Sequence, residues 1–173
     1  DLEKGFRLSK KFDLAICLEV AEHIHEQFAD KFVENLVAAG RVVLFSAAIP
    51  LQGGQNHYNE QWLSYWEKKF LKHRMVIQDV LRPLFWNNPK VFTWYKQNMV
   101  LFTPKDFRFS RELKTNDLRD VVHYELYLKK AKEHSAAIKG ELSPIKYLGY
   151  LFISIIGRKN IIRLKQLLKK KTK

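Results

Sequence analysis

Glu19, Glu22 and His23 stand at i, i+3 and i+4 in the run Glu19-Val20-Ala21-Glu22-His23, a spacing that sets three side chains on one face of a single helical turn. Two carboxylates and an imidazole suit a divalent ion such as Mg²⁺, Mn²⁺ or Zn²⁺, and His57, in a loop further along, is the candidate fourth ligand. A cation held this way lowers the pKa of a hydroxyl and orients it for reaction. The plainer alternative is that His23 packs or hydrogen-bonds at the start of a helix. A metal-dependent hydrolase on the same three residues finds no nucleophile motif in the chain. His25 reads as a solvated residue beside a helix start, and His73, His123 and His134 as surface or partly packed residues with no acid or cysteine at ligand spacing.

These side chains need elements to hold them. Phe12-Asp13-Leu14-Ala15-Ile16-Cys17-Leu18 is an apolar, β-favouring run with one charge, the pattern of a parallel strand covered on both faces, and it ends at Glu19. In an open parallel sheet ligands sit outside the carboxyl ends of the strands, which puts Glu19 to His23 on the functional edge. Phe28, Phe32, Val33, Leu36 and Val37 follow helical spacing over 26–39, with Gly40 as a stop, and Val42 to Ile49 reads as the next strand. Strand, helix, strand predicts a right-handed βαβ unit. After the polar loop Leu51 to Tyr58, Asn59 is placed to cap a helix bearing Trp62, Tyr65, Trp66 and Phe70. Two more strands are expected at 76–81 and 98–103, separated by the aromatic segment 83–95, and a helix at 118–134. Trp62 and Trp66 read as core; Trp86 and Trp94, in the irregular segment, are the better candidates for an acceptor pocket.

The segments Asp1-Leu2, Phe12 to Ile24 with its Glu-x-x-Glu-His, and Arg41-Val42-Val43-Leu44-Phe45-Ser46 resemble the middle of a class I S-adenosylmethionine-dependent methyltransferase, of the kind that includes ubiquinone-type O-methyltransferases and small-RNA 2′-O-methyltransferases. The resemblance covers residues 1 to 103 and corresponds to strands four to seven of that Rossmann-like α/β fold, the last two forming an antiparallel edge hairpin. It implies methyl transfer from S-adenosylmethionine to a hydroxyl or similar nucleophile. Asp1 would accept a hydrogen bond from the adenine amino group, Leu2 would contact the ring, and Leu18, Glu19 and Val20 would border the methionine end. For Asp1 an exposed acid at a frayed terminus is the competing reading. Some relatives hold a metal with the same Glu-x-x-Glu-His and a later histidine, which maps onto Glu19, Glu22, His23 and His57; others with that motif are not known to use one. The glycine-rich loop and the ribose-binding acid of the family have no counterpart here, since Gly53-Gly54 follows the fifth-strand equivalent. The expectation is a truncated domain that binds the cofactor poorly alone.

The chain has 173 residues, 46% of them hydrophobic, enough for one domain with a core. Its single cysteine, Cys17, lies inside an apolar run, which excludes a disulfide framework and points to a reducing, cytoplasmic setting. Ten Lys or Arg against the single acid Glu141 lie between Lys139 and Lys173, so nine of the thirteen net positive charges belong to the C-terminal end. We divide the chain into 1–104, the methyltransferase-like half, and 105–173, a helical and basic extension. The apolar run 145–156 is too short to span a bilayer, which needs about 20 residues. The run 161–173 alternates apolar and basic residues as an amphipathic helix, which either docks with its charges in water or lies on anionic membrane, with nucleic acid the weaker partner for want of interleaved aromatics. A non-catalytic module anchored to membrane or partner by this tail is the competing function, and an uncovered sheet edge would favour self-association.

Overall fold

The computed structural model describes residues 1–6, 8–113, 115 and 117–139. The apolar runs form a four-stranded mixed sheet: β1 (Phe12–Leu18), β2 (Gly40–Ser46), β3 (Met75–Gln78) and β4 (Val100–Pro104), in the order β1-β2-β4-β3. β1 and β2 are parallel neighbours with Phe12 opposite Gly40 and Leu18 opposite Ser46. β4 runs antiparallel to both β2 and β3, giving the expected hairpin at that edge. The connection from β1 to β2 is a helix, α1 (Ala29–Ala39), preceded by single 3-10 turns at Ala21–His23 and Glu26–Phe28. The expected helix over 26–39 therefore starts three residues late.

Gly40 has a different role from the expected helix stop. Its φ of −136° is extended, not left-handed, and it opens β2 directly. A Cβ built there would lie 2.5 Å from the Ala15 backbone nitrogen. Glycine lets β2 close against β1 at that register, and the helix ends because the strand begins.

Alternation sorts the side chains. Cys17, Val43, Phe45, Val100 and Phe102 point into a core shared with Phe32, Val33 and Leu36 of α1 and with Leu63, Trp66 and Phe70 of α2 (Leu63–Leu71). Phe70 stacks on Phe102 with ring centroids 3.8 Å apart, and Phe45 meets both rings and Trp66. Cys17 is buried and free; burial, then the nearby Glu22 and Glu19 charges, push its thiol up to about 12, which makes it an inert core residue. On the other face of β1, Phe12, Leu14 and Ile16 are 47%, 45% and 65% exposed. The apolar run thus predicts cover on both faces of β1, whereas the described residues cover one. Among the described residues β1 is the end strand of the sheet and α1 packs on its Cys17 face.

α2 begins at Leu63, with Trp62 at the cap position and no capping by its own side chain. Asn59, expected to cap it, lies outside the helix and accepts from the Gln61 amide. The cap comes from far along the chain: Asp120 accepts the Ser64 backbone N–H (2.9 Å) and its hydroxyl (2.6 Å). The aromatic segment folds into two short helices, α3 (Leu81–Phe85) and α4 (Thr93–Asn98). Arg82, 1% exposed, binds Asp79 and donates to the carbonyls of Leu118 and Arg119. His123 is fully buried, not on the surface, with Nε2 donating to the Trp86 carbonyl. These bonds tie residues 118–125 to the sheet unit.

Contacts divide the chain into Asp1–Leu126 and Tyr127–Lys173. α5 (Tyr124–Ile138) begins six residues later than expected, its start set by Lys96 and Thr93 binding Glu125. The apolar run 145–156 and the amphipathic run 161–173, read above as docked or lying on anionic membrane, lie outside the described residues. Among the described residues no helix is long and apolar enough to cross a membrane.

Candidate functional site

At the carboxyl end of β1 the chain turns sharply. Glu19 has a φ of +53°, and its N–H donates to both the carbonyl and the hydroxyl of Ser46 at 3.0 Å, extending the ladder to the end of β2. A left-handed non-glycine residue costs on the order of 1–2 kcal/mol, and Ser46 holds it in place. Leu51 (+68°) and Asn56 (+56°) share this strained backbone region in the loop that follows β2. Such outliers gather where surrounding structure fixes a site.

The turn sends Glu22 inward and His23 outward. Glu22 is 0% exposed, and neither carboxylate oxygen has a hydrogen-bond partner. Its backbone carbonyl accepts the N–H groups of Tyr58 (2.9 Å) and Asn59 (3.0 Å), which closes the 51–60 loop over it. Burial, reinforced by the neighbouring Glu19 carboxylate, pushes the Glu22 carboxyl up to about 8. The loop also delivers His57, 11% exposed in its side chain, with Nε2 3.9 Å from Glu22 Oε1. The His23 and His57 rings meet edge to face at 4.9 Å.

One ligand atom from each of Glu22, His23 and His57 falls within a 4.8 Å circle of the others. Three of the four residues raised as ligands thus lie near one another, and His23 also meets the plainer reading, its Nδ1 lying 3.1 Å from the Asn56 carbonyl. Glu19 is not in the group. Helical spacing across 19–23 fails because Glu19 ends a strand and only 21–23 is helical, as a 3-10 turn. Glu19 Oε2 instead accepts from the Gln52 amide at 3.1 Å. Gln52 in turn accepts from Asn98 (2.9 Å), and Gln97 accepts the His123 N–H (2.7 Å). A buried polar chain thus runs from the 118–125 segment to the edge of the site.

The remaining expected residues are dispersed. Asp1 accepts from the Glu3 N–H and sits near Lys4, an exposed acid in a local turn. Leu2 and Val20 line one apolar groove of about 320 Å³ with Phe6, Leu8, Leu14 and Ile16 along the open side of β1. Leu18 is half-buried at the strand end. His25, expected in solvent, is half-buried, stacked on Tyr58 and bound to Glu3 at 2.6 Å. Trp66 is core as expected; Trp62 is 37% exposed; Trp94 is 40% exposed and stacks on Phe92, and Trp86 packs on His123.

Sequence reading missed Glu60. Its side chain is 5% exposed, takes the Leu51 and Gly53 N–H groups at 2.8 Å each, and lies 3.0 Å from His57 Nδ1. The legible signal was a His-x-x-Glu spacing after a glycine pair. No family model, curated protein or solved structure matches the chain.

The residues fit a divalent cation: an unpartnered buried carboxylate and two imidazoles leave room for exchangeable ligands, as in catalytic sites with three protein ligands. They do not make a complete site for S-adenosylmethionine. The groove holding Leu2 and Val20 is apolar, and neither a glycine-rich turn nor an acid to hold the ribose hydroxyls lines it.

Proposed function

We propose that the chain is the C-terminal, acceptor-side half of a class I S-adenosylmethionine-dependent methyltransferase, acting on a hydroxyl or similar nucleophile. The observation that carries this reading is the convergence of Glu22, His23 and His57 at the carboxyl edge of two parallel strands joined by a helix. Mg²⁺, Mn²⁺ or Zn²⁺ held by these three residues would supply Lewis acidity to an acceptor oxygen. The chain's own residues do the rest. Glu22, once ionised, adds a full negative charge in a buried setting. Glu19, fixed by Ser46 and Gln52, faces the same edge without joining the ligand set. The 51–60 loop screens one side of the cluster from water.

Saturation-transfer NMR with S-adenosylmethionine tests the cofactor half of the reading. Weak or no binding is expected for the 173-residue chain, and clear binding for a fusion that supplies a glycine-rich strand-turn-helix half ahead of Asp1. A fusion that folds with added sheet content and still binds no cofactor would sink the methyltransferase reading.

A second reading, an interaction module, is favoured by the Phe12, Leu14 and Ile16 stripe on the open edge strand. The stripe is self-complementary: antiparallel pairing about a two-fold at Ala15 sets Leu14 of one copy against Ile16 of the other. Sedimentation should then show concentration-dependent association that Ile16→Lys abolishes without loss of folding, because this side chain is 65% exposed. A wild-type monomer at all concentrations would refute it.

A further inference from the structure

We propose that Glu60 is a positioning residue, holding His57 as the Nδ1–H tautomer so that the Nε2 lone pair faces Glu22 and any divalent cation bound with it. The inference rests on the reading of this cluster as a cation and acceptor site, and deepens it. Glu60 Oε1 accepts the Gly53 N–H at 2.8 Å and meets His57 Nδ1 at 3.0 Å, while Oε2 accepts the Leu51 N–H at 2.8 Å. A carboxylate engaged by two backbone donors is an acceptor, so the imidazole nitrogen facing it carries the proton. The other nitrogen is then the unprotonated one, and it is the nitrogen 3.9 Å from Glu22 Oε1.

Three further observations converge on the same presentation. His23 Nδ1 lies 3.1 Å from the Asn56 carbonyl, which only accepts, so the second imidazole is held in the same tautomer from the same loop. Gly54 lies beside the Nε2 end of the His57 ring, where a Cβ would fall 2.2 Å from Nε2; glycine there keeps a side chain off that nitrogen. Tyr58 and Asn59 clamp the loop to the Glu22 carbonyl, so His57, Glu60 and Glu22 are positioned as one unit. A ligating histidine whose second nitrogen donates to a carboxylate is oriented and made more basic by it, and loss of such a partner weakens metal affinity about 10–100-fold.

The test uses the full ¹⁵N-labelled chain. Two-bond ¹H–¹⁵N correlations of the imidazoles, at about pH 8.5 where an ordinary histidine is neutral, are expected to show His57 protonated at Nδ1 in the wild type and a tautomer mixture in Glu60→Gln. Mn²⁺ alone, followed by proton relaxation enhancement, should bind Glu60→Gln about 10–100-fold more weakly than wild type. An Nε2–H tautomer in the wild type overturns the proposal, and that result does not depend on whether the variant folds. So does a folded Glu60→Gln in which tautomer and Mn²⁺ affinity are both unchanged. If the wild type holds the Nδ1–H tautomer and the variant loses it, but neither binds Mn²⁺, the positioning role stands and the cation reading falls.

Discussion

Glu22→Gln is expected to raise the stability of the metal-free chain at pH 8 by on the order of 3 kcal/mol, while leaving it little changed near pH 5. The sign follows from proton uptake. With its carboxyl pushed up to about 8 by burial and by Glu19, the folded state binds a proton more tightly than the unfolded chain does between the ordinary carboxyl value of 4.5 and about 8. Stability contributed by the protonated form is therefore full at low pH, falls as pH rises through that window, and levels off above it. Glutamine stays neutral throughout, so the slope disappears. Its own buried amide hydrogens subtract a constant amount, which leaves the difference in slope as the clean signal. Urea melts of both proteins from pH 5 to 9 would show the wild type losing stability relative to Glu22→Gln as pH rises; parallel curves would mean that Glu22 ionises as an ordinary surface carboxyl.

Arg82→Ala is expected to cost about 3–5 kcal/mol and to lower the melting temperature by on the order of 10–20 °C. Arg82 and Asp79 are 1% and 0% exposed in their side chains, and Asp79 Oδ1 is already without a partner. Removing the guanidinium leaves a buried carboxylate uncompensated and removes the donors to the Leu118 and Arg119 carbonyls. The double change Asp79→Asn with Arg82→Met should recover part of the loss, because replacing both partners removes the stranded charge. A loss under about 1 kcal/mol for Arg82→Ala would show that water reaches the pair and that the hold on 118–125 is weak.

The two cases mark where the sequence is legible. β1 and its parallel neighbour β2 are written locally, in the apolar run Phe12 to Leu18 and in a helical pattern between them, and the strand starts are near those expected. Val42 to Ile49 overshoots because Ala47 to Ile49 stay buried after pairing has stopped at Ser46. Asn59 reads as a cap because its type favours that role, yet its N–H is drawn to the Glu22 carbonyl and the true cap is Asp120. A partner so distant in sequence leaves no periodic trace. Arg82 in an aromatic, proline-containing segment likewise gives no sign that it will be buried.

The site follows the same division. Glu22, His23 and His57 were legible as candidates because few residue types offer a ligand atom to a cation, and the fold brings these three together. Glu19 falls outside the group, since the i, i+3, i+4 argument presumes a helical turn from residue 19, whereas the 3-10 turn starts two residues later, at Ala21. Glu60 left only a His-x-x-Glu spacing after a glycine pair, too little to read its role, which depends on a loop conformation set by Tyr58 and Asn59 binding Glu22.

Calorimetric titration of the chain with Mn²⁺ at pH 7, in two buffers of different ionisation enthalpy, tests the central claim most directly. The account predicts saturable binding accompanied by proton release, because Glu22 must lose the proton that burial makes it keep. It predicts loss of that binding in both Glu22→Ala and His57→Ala, and competition by Zn²⁺ at the same site. No binding to the folded wild type, or binding of unchanged strength in both variants, would contradict it.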